Sequence, residues 1–142
     1  MVKSELFHEM ELSLEEAKMI VQNAEAKAKE ISVMMNIAVV DVGGNLVAFE
    51  RMDKAWLGSV NIAINKAYTA VAFNMTTEDL GKESQVGKSL FGIHATNNGR
   101  LVIFGGGIPL TKKGELVGAI GVSGGAVPQD IEVAKAGAKN FK

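Results

Sequence analysis

Short turns between neighbouring apolar segments are the feature that most constrains the fold of this chain. The β-branched run VMMNIAVVDV (33–42) is followed by GGN and then by LVAFERM (46–52). A turn this short joins antiparallel strands, whereas parallel strands need a crossover of a dozen or more residues. The sequence therefore predicts a β-hairpin, with Asp41 opposite Leu46, inside an antiparallel sheet rather than a doubly wound parallel one.

Further strands are predicted in the second half of the chain. They are RLVIF (100–104), IPL (108–110) and ELVGAIGVS (115–123). Glycine inside a strand is costly unless another part of the backbone packs against it. Gly118 and Gly121 therefore predict that another part of the chain packs closely against the backbone of the last strand. The expected sheet has five strands.

Amphipathic patterns predict helices packed on this sheet. Residues 12–31 repeat apolar positions at helical spacing behind a Ser13/Glu16 capping box. The other helices are expected from Ser59 to about Phe73, from Thr76, and from GGAVPQD (124–130), whose proline and aspartate suit a first helical turn. This order of elements predicts the α+β class.

Composition limits the classes of function. The 142 residues suit one domain, 1–142, with residues 1–11 as a flexible N-terminal arm. The 15 basic and 16 acidic residues nearly balance and form no run of like charges, whereas nucleic-acid binding normally needs a basic face, so no nucleic-acid partner is expected. The absence of cysteine excludes disulfides, zinc–thiolate sites and a cysteine nucleophile. No signal peptide or membrane-length apolar run is present, which predicts a cytoplasmic protein without a membrane partner.

The segment GKESQVGKSLFG (81–92) superficially resembles a phosphate-binding loop. Five residues instead of four separate Gly81 from Gly87, and lysine stands at position 82, where the first glycine belongs. The segment also follows a predicted helix rather than a strand. We therefore expect an irregular surface segment from Gly81 to Asn98, and the other glycine clusters do not have the Rossmann spacing.

Several polar residues stand beside core elements rather than on open faces. They are Asp41, Arg51, Asp53, Lys66 and Asp130. Lys66 lies near the apolar stripe of the second predicted long helix. It is expected either to form a structural salt bridge with Asp41 or Asp53, or to bind an acidic ligand together with Arg51.

Two glycine clusters and two histidines are further candidates. Gly124 and Gly125 precede a helix whose free amides could hold a carboxylate, or they only turn the chain. His8 lies in the predicted arm, and His94 lies in the irregular segment, which could border a cleft. Neither belongs to a metal-ligand spacing or a Ser-His-Asp pattern, so no metal site is predicted. Either histidine, or one of the 7 methionines, could ligate a haem iron.

Three stretches together resemble a known family. They are VVDVGGNLVAFERMD (39–53), INKAYTAVAF (64–73) with the threonine that follows, and NNGRLVIFGGGIPLTKKGELVGAIGVSGG (97–125) with the Gln-Asp after it. The combination resembles the GlcG/HbpS-like family, also called the haem-degrading domain family. It looks most similar to the C-terminal domain of PduO-type cobalamin adenosyltransferases, from about the first helix to the end of the chain.

The resemblance implies a profilin-like three-layer α/β/α fold with a central, mainly antiparallel five-stranded sheet. It implies self-association, from dimers to octamers, haem or another tetrapyrrole as ligand, and a link to glycolate, glycerol or diol catabolism. The residues expected to shape a ligand site are Asp41, Arg51, Asp53, Lys66, Thr76, Gly105, Gly106, Gly107, Ser123, Gly124, Gly125 and Asp130, together with His94.

The chain departs from this family in two ways. Its haem-binding members tend to carry a histidine on or near the first helix, whereas residues 13–31 of this chain contain none. It also lacks the domain that carries adenosyltransferase chemistry in PduO-type proteins, so that activity is not expected. A ligand-binding protein is favoured over two alternatives, namely an enzyme acting on haem or on a small carbonyl or hydroxy acid through Lys66, and an accessory subunit of a diol or glycolate enzyme.

Overall fold

The computed structural model describes residues 11–141. In chain order its elements are helix α1 (Leu14–Glu30), strands β1 (Asn36–Asp41) and β2 (Leu46–Arg51), helices α2 (Gly58–Phe73) and α3 (Thr77–Glu83), strands β3 (Gly107–Lys112) and β4 (Glu115–Ser123), and helix α4 (Val127–Ala138). Two short 3₁₀ turns, Ile93–Ala95 and Asn97–Gly99, lie between α3 and β3. The predicted N-terminal arm up to residue 10, with His8, lies outside the described residues.

The strands form a single antiparallel sheet in the order β2-β1-β4-β3. The α+β class and the antiparallel sheet are confirmed, but the prediction of five strands is wrong, since residues 11–141 contribute four. RLVIF is not a strand, because its backbone packs on helices instead. The Val102 amide donates to Thr69 Oγ1 of α2 at 3.1 Å, and a Cβ on Gly81 of α3 would lie 2.2 Å from the Ile103 carbonyl oxygen.

The β1–β2 hairpin forms as predicted, but with a different register. Its pairing shifts at a bulge between Val39 and Val40, so that Val40, and not Asp41, lies opposite Leu46. A bulge sets two residues of one strand against one of its neighbour, and the alternation of apolar residues does not reveal it.

The predicted helix starts are largely confirmed. Ser13 and Glu16 form the capping box of α1, with hydrogen bonds of 3.0 and 2.9 Å. Thr76 Oγ1 accepts the Asp79 amide at 3.1 Å and caps α3. Helix α2 instead begins at Gly58, one residue before Ser59, which is therefore not its cap.

Helices cover both faces of the sheet. On one face α1 and α4 pack over a core that includes Ile37, Val39 and Ile120. On the other face the alanines of α2 pack over Ala38 and Val40. Because strand residues alternate between faces, the nearly continuous apolar run of β1 supplies both cores. No helix within residues 11–141 is long and apolar enough to cross a membrane.

Candidate ligand site

One end of the sheet collects several of the residues predicted for a ligand site. Asn36 opens β1 and pairs directly with Arg51 at the end of β2 and with Ser123 at the end of β4. Directly opposed residues of antiparallel strands lie on the same face. The loop Gly105–Gly107 lies beside these residues, because the Gly106 carbonyl accepts a hydrogen bond from the Val122 amide at 2.9 Å. We call this region the Asn36 end of the sheet.

A buried ion pair lies behind the Asn36 end. Lys66 Nζ of α2 is 2.9 Å from Asp130 Oδ2 of α4 and donates to the Val122 carbonyl at 2.8 Å. The two side chains are 0% and 3% exposed. The prediction that Lys66 pairs with Asp41 or Asp53 is therefore wrong, since its partner lies 64 residues along the chain and on the opposite helical layer.

Burial shifts both members of this pair towards their neutral forms. It lowers the pKa of the Lys66 amine and raises the pKa of the Asp130 carboxyl, and the attraction between the two opposes each shift. Backbone amides also favour the ionised Asp130, since the Gly125 amide donates to its Oδ1 at 2.9 Å and the Gly124 amide bonds to it as well. The amides predicted to hold a ligand carboxylate thus hold one of the protein's own.

The glycine loop is shaped to let Lys66 come close. Gly106 has a φ of +129°, and a Cβ there would lie 2.7 Å from Lys66 Nζ and 2.5 Å from the Val122 carbonyl oxygen. The amide of Gly107 donates to Thr77 Oγ1 at 2.9 Å. Thr77, which is fully buried, therefore fixes the loop, whereas the predicted Thr76 serves as the cap of α3.

Large apolar side chains are exposed at the same end of the sheet. Trp56, Leu57 and Phe104, which we call the apolar rim, are 68%, 73% and 43% exposed. The Trp56 carbonyl accepts Asn36 Nδ2 at 3.0 Å, and the Phe104 ring centroid lies 5.0 Å from Lys66 Nζ. Exposed apolar side chains beside buried polar groups are typical of a ligand-binding surface.

Asn36 carries an unused acceptor beneath this rim. The residue is fully buried, and its Oδ1 has no hydrogen-bond partner among residues 11–141. An unpaired buried acceptor costs about 1–3 kcal/mol. A bound molecule or water that donates to Asn36 Oδ1 would recover that cost.

A groove of about 430 Å³ contains the predicted residues Arg51 and Asp53. Its other lining residues are Glu25, Lys29, Met34, Glu50 and Met52. Arg51 turns back on its own loop, where Nε and Nη2 donate to the Ala55 carbonyl at 3.1 and 2.9 Å. Burial, and then the neighbouring Glu25, raise the pKa of Glu50. Lys66 does not line this groove, so the groove does not contain the predicted cluster of Arg51 with Lys66.

Asp41 and His94 lie elsewhere. Asp41 ends β1, five residue steps and about 17 Å from Asn36, and its Oδ1 accepts the amides of Gly43 and Asn45 at 2.9 Å. His94 is exposed on a 3₁₀ turn, with its ring edge-on to Phe91. The fold does not bring Asp41 to the Asn36 end, and it leaves His94 on an open surface.

Sequence reasoning missed five residues of this region: Asn36, Trp56, Leu57, Thr77 and Phe104. Two of them carried a usable signal, because Trp56 is the single tryptophan and lies in a loop, and Phe104 directly precedes three glycines. Asn36 was a polar residue inside an apolar run. No group of three or more His, Asp or Glu side chains that could hold a metal ion occurs in the described part of the chain.

The sequence and fold define the family. The family model described as "Haem degrading protein HbpS-like" matches residues 12–139, and the chain belongs to this HbpS-like family. An uncharacterized 15.0 kDa protein in the dhaT-dhaS intergenic region of Citrobacter freundii is 47% identical over 119 residues, which are 84% of each chain.

PduO proteins are also relatives. The corrinoid adenosyltransferase PduO of Citrobacter freundii is 38% identical over 126 residues, which are 89% of this chain but 38% of that protein. The crystal structure of a PduOC:haem complex is 34% identical, has a TM-score of 0.89, and is matched over 94% of this chain and 98% of its own. The resemblance to the GlcG/HbpS-like family and to PduO is confirmed.

Proposed function

We propose that this chain binds haem, or another tetrapyrrole, at the Asn36 end of its sheet. The observation that carries the proposal is its likeness to the PduOC:haem complex, at 34% identity over 94% of the chain. Membership of the HbpS-like family supports the same ligand.

The residues at the Asn36 end suit the chemistry of haem. The apolar rim can pack on a flat macrocycle, and the close cation Lys66 suits its carboxylates. Haem with ionised propionates carries no hydrogen-bond donor, so a water molecule, and not the macrocycle, would satisfy the buried Asn36 Oδ1. Haem would supply an iron centre. The proposed site holds no histidine, so none of its residues is assigned as an axial ligand of the iron.

The proposed site keeps part of the set predicted from sequence. Its members are Arg51, Asp53, Lys66, Gly105, Gly106, Gly107, Ser123, Gly124, Gly125 and Asp130, joined by Asn36, Trp56, Leu57, Thr77 and Phe104. Asp41, Thr76 and His94 are left outside it, since the hairpin, the α3 cap and the 3₁₀ turn use them.

We also propose the finer properties that the family resemblance implies. These are a profilin-like three-layer fold, self-association between dimers and octamers, a cytoplasmic location, and a link to glycolate, glycerol or diol catabolism. Self-association is supported by further large apolar side chains that are exposed, such as Val86 at 86% and Phe91 at 60%.

Haemin titration tests the proposed ligand. Purified protein is titrated with haemin while the Soret band and the fluorescence of Trp56, the single tryptophan, are followed. We expect a shifted Soret band that saturates at a fixed stoichiometry, with Trp56 fluorescence quenched along the same curve. A Soret band that stays that of free haemin, or that grows without saturating, would contradict haem binding.

A further inference from the structure

We propose that Phe104 is a movable cover over Lys66, and that a carboxylate of the bound ligand displaces its ring and binds the Lys66 ammonium. This inference rests on the proposed function and names the anchor of the ligand within that site. It assigns Phe104 the role of controlling access to that anchor.

The hydrogen bonds of Lys66 leave one direction open. An ammonium has three N–H donors. Two are used, by the Val122 carbonyl at 2.8 Å and by Asp130 Oδ2 at 2.9 Å. The Phe104 ring, with its centroid 5.0 Å from Nζ, provides a cation–π contact in place of a third acceptor.

The ring of Phe104 contacts this ammonium and is itself partly exposed to solvent. Lys66 is fully buried, whereas Phe104 is 43% exposed. Phe104 lies outside the strands and directly before Gly105–Gly107. A side chain that is exposed on one face, on a segment outside regular structure, can change rotamer without disturbing either core.

A carboxylate is a stronger partner for the ammonium than the ring. A charge-assisted hydrogen bond exceeds a cation–π contact in strength, and it also satisfies the third donor. Asp130, the existing counter-ion of Lys66, does not prevent this. Its carboxylate is also stabilised by the Gly124 and Gly125 amides, so it does not depend on Lys66 alone, and Lys66 can share its charge with a second carboxylate. The displaced ring would remain beside the ligand as part of the apolar rim.

The matching ligand is therefore an apolar, planar molecule with a carboxylate at its edge. Haemin meets this description, and its dimethyl ester has the same macrocycle without free carboxylates. The chain also provides a matched control for Phe104, because Phe91 is another exposed phenylalanine, at 60%, that contacts His94 instead of Lys66.

Two measurements test the inference. The first compares the affinities of the wild-type protein for haemin and for haemin dimethyl ester, and we expect the ester to bind about tenfold more weakly. The second measures acylation of the Lys66 amine by mass spectrometry. Phe104→Ala is expected to speed this labelling about tenfold, Phe91→Ala is expected to leave it unchanged, and bound haemin is expected to slow it in the Phe104 variant.

The outcomes separate this inference from the proposed function. If the wild-type protein does not bind haemin at all, both are overturned. If haemin binding saturates but the ester binds equally well, or if Lys66 is labelled equally fast in the two phenylalanine variants, only the roles of Lys66 and Phe104 are overturned.

Discussion

Replacing Lys66 with methionine is expected to lower the free energy of unfolding by about 3–5 kcal/mol. Methionine keeps most of the length and apolar volume of lysine, so packing changes little. The loss comes from Asp130, whose carboxylate is 3% exposed and would be left buried without its counter-ion. The Val122 carbonyl would also lose its donor. Chemical denaturation of the purified variant measures the change.

The double variant Lys66→Met/Asp130→Asn is the control for this prediction. It removes both charges, so no lone carboxylate stays buried, and we expect it to recover a large part of the lost stability. Two results would show that the pair is not buried as described. One is a loss of unfolding free energy in the double variant equal to the sum of the losses from the two single substitutions, and the other is a loss below about 1 kcal/mol for Lys66→Met alone.

Replacing Gly121 with alanine is expected to destabilise the fold by about 3 kcal/mol or more. A Cβ at Gly121 would lie 2.1 Å from the Ala63 carbonyl oxygen and 2.5 Å from the Ala67 amide nitrogen. Both are backbone atoms of α2, so no side-chain rotation relieves the contact. The helix must move away from the sheet, which opens the core around Ala38.

Gly58→Ala is the matched control for this glycine. Gly58 begins α2, and a Cβ there meets no atom within 4 Å. Alanine also favours helix over glycine, so stability should stay equal or rise slightly. Equal melting temperatures for the Gly121 and Gly58 variants would contradict the close packing of α2 on β4.

The elements whose signals are local could be predicted from the sequence. The glycine turn after Val42 predicted the hairpin, and Ser13 with Glu16 predicted the start of α1. Gly121 inside an apolar strand predicted a close approach, which α2 makes. RLVIF shows the limit, because its apolar residues suit a strand or a segment packed on helices, and only the tertiary contacts of α2 and α3 decide between them.

The candidate site depends on long-range geometry and was less predictable. Lys66 was singled out because it interrupts an apolar helical stripe, but its partner Asp130 comes from a helix on the opposite face of the sheet. The β1 strand separates Asp41 from Asn36, although both belong to one apolar run. Spacing along the chain carries no information about which end of a sheet two residues share.

Hydrogen–deuterium exchange with and without haemin tests most directly whether the ligand site is the Asn36 end of the sheet. We predict that haemin slows exchange in peptides covering 55–58, 104–107 and 123–126. Peptides covering the opposite hairpin, 41–46, and the 3₁₀ turns, 92–99, should exchange as before. Protection confined to 41–46 or to 92–99, with unchanged exchange at 104–107 and 123–126, would contradict this location.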